Sequence, residues 1–217
     1  MTPVWRFLSS FITMLALVVL LAGANRPVQA AEEPAKILLF GDSLIAGYGL
    51  AHEEGFAPQL QAALAAAGLN VTVINSGVSG DTSAAGLARL EWALADVPDL
   101  VVVELGANDA LRGVEPKQTR ANLDRIIGTL KERNVAVLLA GMMAPPNMGR
   151  EYGAEFNSIY PDLAQQHDVP LYPFFLDGVA AERALNQDDG MHPNADGVAI
   201  IIEKMLPTLI GVLETAS

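Results

Sequence analysis

Short apolar runs alternate with longer stretches of helical periodicity along most of this chain, and no other feature constrains its fold as strongly. Runs of this length predict strands, and their nearly continuous apolar character is typical of a parallel sheet that helices cover on both faces. The predicted strands are residues 36–40, 71–75, 100–104, 135–140 and 169–172. The alternation therefore predicts an α/β fold in which crossover helices join parallel strands.

The segments between these runs predict the helices and their ends. The predicted helices cover residues 55–67, 83–95, 116–133, 151–167 and 194–213. Thr82 or Ser83 and Asn194 are expected N-caps, and Gly68 stands where a helix often ends in a left-handed residue. No internal repeat or long linker interrupts the series, so residues 31–217 are expected to form a single domain.

The first thirty residues have the order of a secretory signal peptide. Arg6 precedes an apolar run at residues 7–21, and small and polar residues then lead to Ala30. This order predicts cleavage after Ala30, export to the periplasm or the medium, and no stable membrane insertion afterwards. The alternative is a retained membrane anchor, because residues 7–24 approach the ~18 to 20 apolar residues that span a bilayer. Polar residues interrupt that run, and the small residues that lead to Ala30 favour cleavage.

The charge and the cysteine content exclude several classes of function. The formal net charge of −12 becomes −14 when the leading segment is removed, because that segment holds two arginines and no acidic residue. Such a surface repels nucleic acid and anionic membranes, so we expect no nucleic-acid partner. Since the chain has no cysteine, it has no disulfide, no zinc–thiolate site and no cysteine nucleophile.

Polar, glycine-bearing turns follow the first three predicted strands. They are residues 41–44, 76–81 and 105–109, and a fourth polar segment at residues 188–194 precedes the last helix. Ligands of open parallel sheets bind at the carboxyl ends of the strands. We therefore expect these segments to face one crevice.

Ser43 and His192 are the candidate nucleophile and base of this crevice. Ser43 follows the first strand, although a serine in that position more often caps a helix. Asp189 precedes His192 by three residues, and a tight loop of that spacing lets its carboxylate hold Nδ1 of the imidazole and leave Nε2 for the serine proton. The alternative is that Asp189 and Asn194 only cap a turn and the last helix.

Ester cleavage also needs donors for the oxyanion of the tetrahedral intermediate. The candidates are the backbone N–H of Ser43, the backbone N–H of Gly80, and the side-chain amide of Asn108. A substrate can approach the glycine closely because it lacks a Cβ. Neither Gly80 nor Asn108 is diagnostic alone, since both residue types are common in turns. Their convergence on one crevice is the argument for an oxyanion hole.

Three acids at strand ends, Asp42, Asp81 and Asp109, raise the alternative of a metal site. Carboxylates in such turns more often accept backbone N–H bonds, and no histidine or cysteine ligand pattern accompanies them. We expect neither a metal nor another cofactor.

The four polar segments together resemble the sequence blocks of the SGNH hydrolases, also called GDSL esterases and lipases. Residues 41–44, Gly-Asp-Ser-Leu, look like the nucleophile block of that family. Residues 77–83 look like its glycine block, 106–109 like its asparagine block, and 189–194 like its final block. All four occur in order, and the chain is most similar to the bacterial periplasmic arylesterases, acyl-CoA thioesterases and lysophospholipases.

The resemblance implies a three-layer α/β/α sandwich with a mostly parallel, flavodoxin-like five-stranded sheet. It implies catalysis by Ser43, Asp189 and His192 through an acyl-enzyme, with an oxyanion hole formed by Ser43, Gly80 and Asn108. The implied substrates are small molecules, namely aryl esters, lysophospholipids and acyl thioesters, and the implied reaction needs no cofactor. The sequence leaves the natural leaving group and the oligomeric state open.

The loop at residues 142–150 stands where that branch of the family has a mobile loop that contacts the substrate. Met143, Pro145 and Met148 are therefore expected to contact an acyl chain, although such residues also pack a loop onto its domain. Two rival functions are an esterase of the same fold for O-acetylated carbohydrate and a non-catalytic periplasmic binding protein. The apolar loop disfavours the first, and the complete catalytic set disfavours the second.

Overall fold

A computed structural model describes residues 33–216, and one sheet of five parallel strands organises this part of the chain. The strands are β1 (Ala35–Gly41), β2 (Val71–Gly77), β3 (Leu100–Glu104), β4 (Ala136–Ala140) and β5 (Leu171–Tyr172). Their spatial order is β2-β1-β3-β4-β5, which is the flavodoxin-like order that the resemblance implies. The predicted signal peptide, residues 1–30, lies outside the described residues.

Helices cover both faces of the sheet. They are α1 (Ser43–Ala46), α2 (Phe56–Ala66), α3 (Ser83–Ala93), α4 (Ala107–Leu111), α5 (Pro116–Glu132), α6 (Arg150–Asn157), α7 (Ile159–His167) and α8 (Ala195–Ala216). Helices α2 and α8 contact each other in one layer, and α5 contacts both α3 and α7 in the other. The predicted α/β sandwich is therefore confirmed. None of the helices within residues 33–216 has the length and apolar character that crossing a bilayer requires.

The centre of the sheet is fully buried and fixes the position of the crevice. Residues 37–40 of β1 and 100–103 of β3 are fully buried. The two strands pair from Ile37 with Leu100 to Gly41 with Glu104, so their carboxyl ends lie side by side. After β1 the chain crosses to β2 on one side of the sheet, and after β3 it crosses to β4 on the other side. A ligand crevice forms at such a switch point.

The predicted helix at 151–167 is wrong in one respect, because the structure divides it into α6 and α7 at Ser158. Pro161 has no N–H to donate to the carbonyl four residues earlier, so a continuous helix would lack one bond of its ladder. The Ser158 hydroxyl also donates to the Glu155 carbonyl at 3.2 Å, a bond that competes with the helix.

The N-cap expected at the start of α3 does form, since Thr82 accepts from the Ala85 N–H at 3.3 Å.

Gly77, the last residue of β2, packs directly against α1. A Cβ at Gly77 would lie 2.3 Å from the backbone nitrogen of Ala46. Because backbone cannot move aside as a side chain can, we expect Gly77→Ala to lower the free energy of unfolding by about 1–3 kcal/mol. Gly153 in α6 is the matched control, since a Cβ there would meet no heavy atom of the described residues within 4 Å apart from its chain neighbours and the backbone of its own helix. Gly153→Ala should raise that free energy by about 0.4–1 kcal/mol. Urea denaturation of both variants measures the difference, and equal stabilities would contradict the packing argument.

Candidate active site

Ser43 is the first residue of α1 and follows β1 after a single residue, Asp42. Asp42 is fully buried, and its Oδ1 accepts the Leu44 N–H at 3.0 Å, which caps the helix. Gly41 is required by close packing, because a Cβ there would lie 2.7 Å from both the carbonyl oxygen and Oε2 of Glu104. This arrangement fixes the serine at the carboxyl edge of the sheet.

Ser43, His192 and Asp189 form one hydrogen-bonded chain. Ser43 Oγ lies 2.9 Å from His192 Nε2, and His192 Nδ1 lies 2.6 Å from Asp189 Oδ2. Because an ionised carboxylate accepts hydrogen bonds and cannot donate one, the ring proton sits on Nδ1, and Nε2 is free to accept the serine proton. The three predicted residues are thus brought together, although the serine and the histidine are 149 positions apart.

Hydrogen bonds hold Asp189 in its ionised form. Its Oδ1 accepts the backbone N–H of His192 at 3.0 Å and that of Met191 at 2.9 Å. These two bonds, together with the bond to the imidazole, lower the pKa of Asp189 from an ordinary 3.8 to about 2. Gly190 makes the tight loop possible, since its φ of +68° suits a residue without a Cβ.

Gln187 holds the loop of Asp189 and His192 against the turn after α1. Its Nε2 donates to the carbonyl of Tyr48 at 2.7 Å and to that of Pro193 at 2.9 Å. The Tyr48 ring packs on the imidazole of His192 with 4.7 Å between ring centroids. Sequence reasoning missed Gln187 and Tyr48, because a contact across 139 positions leaves no local signal.

The three predicted oxyanion donors lie in the segments that follow β1, β2 and β3. The backbone N–H groups of Ser43 and Gly80 have no hydrogen-bond acceptor among the described residues. Asn108 Nδ2 donates one hydrogen to Asp42 Oδ2 at 2.9 Å and keeps its second hydrogen. Gly80 has a φ of +85°, and its carbonyl accepts from Arg112 at 2.8 Å.

Each of the three strand-end acids accepts hydrogen bonds from partners of its own. Asp42 accepts the bonds described above, and Asp81 accepts from Arg89 Nε at 2.6 Å. Asp109 is buried and accepts from the backbone N–H and the hydroxyl of Ser83 at 2.7 and 2.5 Å. In the described part of the chain, no group of three or more His, Cys, Asp or Glu side chains is placed to hold a metal ion.

Arg89 connects the carboxyl ends of β1 and β2. It donates to the carbonyl of Gly41 at 2.9 Å and to the hydroxyl of Ser76 at 3.0 Å. Its guanidinium also lies over the Phe40 ring, 4.3 Å from the centroid. An arginine within an amphipathic helix resembles any exposed cation in the sequence, so this role was not predicted.

An apolar cavity of about 550 Å³ opens beside Ser43. One wall is the loop that contains Met143 and Pro145, whereas Met148 is not among the lining residues and its methyl group faces Gly113. Gly80 does not line this cavity either. Sequence reasoning missed the rest of the lining, which includes Leu111, Phe174, Leu176, Ala180, Ala181 and Met191. Several of these follow β5, so the carboxyl-end rule applied to the last strand would have found them.

The profile of the GDSL-like Lipase/Acylhydrolase family matches residues 39–200. The chain belongs to this family. It is 42% identical over 182 residues to the arylesterase of Vibrio mimicus, across 83% of this chain and 91% of that protein. It is 41% identical over 174 residues to thioesterase 1/protease 1/lysophospholipase L1 of Escherichia coli K12, across 80% of this chain and 82% of that protein.

A solved structure gives the same result for the fold. The crystal structure of TesA superposes with a TM-score of 0.78 at 41% identity, covering 82% of this chain and 99% of that chain. The family, the two relatives and this structure confirm both the resemblance and the α/β fold that the sequence predicts. The family and the names of these relatives also agree on one class of enzyme, the carboxylic ester hydrolases, and we assign the chain to that class.

The lowered pKa of Asp189 predicts a dependence of stability on pH. A carboxyl group whose pKa falls on folding contributes stability above its unfolded value of about 3.8, and that contribution is lost as the pH falls towards about 2. We expect the thermal midpoint of the wild type to exceed that of Asp189→Asn at neutral pH. The difference should narrow from about pH 4 downwards. Thermal denaturation of both proteins across this range measures it, and a constant difference down to pH 2.5 would contradict the assignment.

Proposed function

We propose that the protein is a serine esterase that hydrolyses carboxylic esters and thioesters through an acyl-enzyme. Ser43 is the nucleophile, His192 the general base and acid, and Asp189 the group that orients the histidine. The observation that carries the proposal is the hydrogen-bonded chain from Asp189 Oδ2 through the imidazole to Ser43 Oγ, beside an apolar cavity. This is the geometry that activates a serine hydroxyl for attack.

In the first half of the reaction, Ser43 Oγ attacks the acyl carbonyl carbon while His192 Nε2 takes its proton. The ionised Asp189 keeps the imidazole in place and stabilises the imidazolium that forms. His192 then gives the proton to the leaving oxygen or sulfur as its bond to the acyl carbon breaks. The products of this half are the free alcohol or thiol and the acyl ester of Ser43.

In the second half, His192 removes a proton from water, and the resulting hydroxide equivalent attacks the acyl ester of Ser43. The carboxylic acid leaves, and the proton returns to Ser43 Oγ. In both halves the negative charge on the carbonyl oxygen is received by the N–H of Ser43, the N–H of Gly80 and the amide of Asn108. The first two have no acceptor among the described residues, so they are available to the substrate.

The cavity supports a substrate with an apolar acyl group. Its volume of about 550 Å³ lies within the ~300–1,000 Å³ of small-molecule sites, and its walls are mostly apolar. We propose that Met143 and Pro145 contact the acyl chain, whereas the position of Met148 gives it no such contact. The names of the relatives extend the proposal to aryl esters, acyl thioesters and lysophospholipids.

We also propose that the enzyme works outside the cytoplasm, in the periplasm or the medium. The support is the order of charged, apolar and small residues at positions 1–30, which is typical of a secretory signal. The mass and the N-terminal sequence of the exported protein test this, because processing after Ala30 leaves Ala31 as the first residue. An exported protein that still begins at Met1 would favour the membrane anchor instead.

Initial rates on p-nitrophenyl esters from acetate to palmitate test the proposed function. We expect the rates to rise from acetate towards medium chains, because each buried methylene adds about 0.8 kcal/mol of binding. Ser43→Ala should lower turnover by about 10⁴-fold or more with an unchanged circular dichroism spectrum. The matched control is Ser158→Ala, since Ser158 is exposed at the joint of α6 and α7 and should leave the rates unaltered.

Other results of this assay would change the conclusion. Activity confined to acetate would favour an esterase for O-acetylated carbohydrate. A folded Ser43→Ala variant with wild-type turnover would remove Ser43 as nucleophile. No activity on any ester of the series would favour a binding protein.

A further inference from the structure

Glu104 is a buried carboxyl group beside the nucleophile turn, and the proposed mechanism does not use it. It is the last residue of β3, pairs in register with Gly41 and has no solvent exposure. Its Oε2 accepts the backbone N–H of Asp42 at 3.3 Å, whereas its Oε1 has no hydrogen-bond partner among the described residues. No lysine or arginine in that part of the chain forms an ion pair with it.

The hydrogen bonds indicate which of the two neighbouring carboxyl groups carries the proton. Both oxygens of Asp42 have a donor, namely the Leu44 N–H at 3.0 Å and Asn108 Nδ2 at 2.9 Å. Glu104 has one donor and an oxygen without any, which a buried carboxylate tolerates poorly. The two carboxyl groups also lie within hydrogen-bonding reach of each other. Two buried carboxyl groups this close do not both ionise, so Asp42 holds the charge and Glu104 the proton.

The electrostatics of the pair agree with this order. Burial raises the pKa of Glu104 well above its ordinary 4.5, and the charge of Asp42 raises it further. Burial also raises the pKa of Asp42, but its bonds to Leu44 and Asn108 and the proximity of His192 act in the opposite direction.

Asp42 determines the direction of two oxyanion donors. Because its carboxylate accepts hydrogen bonds and cannot donate one, the Nδ2 end of the Asn108 amide faces Asp42, and the second hydrogen of that nitrogen remains for a substrate. The bond from Leu44 to Asp42 caps α1, whose first residue is Ser43, and so sets the direction of the Ser43 N–H. Both donors therefore depend on where Asp42 is held.

We propose that Glu104 is a positioning residue of the oxyanion hole. Its neutral carboxyl group anchors the backbone N–H of Asp42, and Asp42 in turn orients the Asn108 amide and the Ser43 N–H. Glu104 does not line the cavity, so it acts through Asp42 and touches no substrate. The inference rests on the proposed function, because the two donors have this role only if Ser43 is the nucleophile.

Two substitutions of similar size separate the hydrogen bond of Glu104 from its charge. Glu104→Gln keeps an oxygen that accepts the Asp42 N–H and has no charge, so its kcat should stay within about threefold of the wild type. Glu104→Leu removes the acceptor, and the displaced donors should lower kcat by about 10- to 100-fold with KM unchanged within about twofold. Rates on p-nitrophenyl butyrate give both constants.

Val102→Ala is the matched control for general destabilisation. Val102 is fully buried on the same strand as Glu104, but it lies two residues from the crevice edge. Its substitution should lower the thermal midpoint without changing kcat. If Val102→Ala and Glu104→Leu lower kcat equally, loss of stability explains both results and the positioning role is overturned.

Asn108→Ala distinguishes the failure of this inference from the failure of the proposed function. Loss of one oxyanion donor should lower kcat by ~10²-fold or more. If Asn108→Ala keeps wild-type turnover, the oxyanion hole itself is wrong. If Asn108→Ala is impaired and Glu104→Leu is not, only the positioning role is overturned. If Glu104→Gln lowers kcat as much as Glu104→Leu does, the negative charge of Glu104 is needed, and the positioning role of a neutral Glu104 is also overturned.

Infrared spectroscopy tests the protonation of Glu104 without the leucine variant. At neutral pH the wild type should show the C=O stretching band of a protonated carboxyl group, and Glu104→Gln should lack it. The absence of this band from the wild type would overturn the inference, since the proposal assigns the proton to Glu104 and an ionised Glu104 would repel the Asp42 carboxylate.

Discussion

The close contact of β1 with β3 at Gly41 and Glu104 is the constraint on which the rest of the site depends. A Cβ at Gly41 would meet the main chain and the carboxyl group of Glu104, so only glycine lets the two strands end side by side. β1 then passes directly into α1 with Ser43 as its first residue, while β3 leads to Asn108 in α4. The distance between Ser43 and the Asn108 amide is thus fixed by one pair of buried strands, and rigid elements position such groups better than loops do.

The other half of the site is assembled differently. Asp189 and His192 form a local unit, because backbone bonds and the bond to the imidazole hold both side chains within four residues. This unit reaches Ser43 through tertiary contacts, namely the bond of His192 to Ser43 Oγ and the bond of Gln187 to the Tyr48 carbonyl. Asp189 can therefore orient the histidine although about a third of its side chain is exposed, since its orientation comes from hydrogen bonds and not from burial.

The sequence predicts the features of this site that local chemistry determines. The strand at Leu100–Glu104 was predicted to the residue, because a fully buried strand is a continuous apolar run. The short helices α1 and α4 were predicted as turns, since four or five residues carry no periodicity. The partners of Gln187 and the apolar wall at Phe174 depend on which distant segments meet, so one sequence alone does not contain them. Pro161 indicates in the sequence that the helix predicted at 151–167 is divided, but the prediction did not take this proline into account.

The lining of the cavity agrees with the range of leaving groups in the proposed function. Its lining contains no lysine or arginine, and His192 and the buried Asp42 are the titratable groups among the residues that form it in the described chain. In the proposed function a substrate is held by apolar contact along its acyl group. The charge that develops in the reaction then falls on the carbonyl oxygen, which every ester and thioester has in common. Since no lysine or arginine of the lining can select the departing alcohol or thiol, the proposed function leaves discrimination to the fit of the acyl chain. Substitutions in the apolar walls should accordingly change chain-length preference before they change the range of leaving groups.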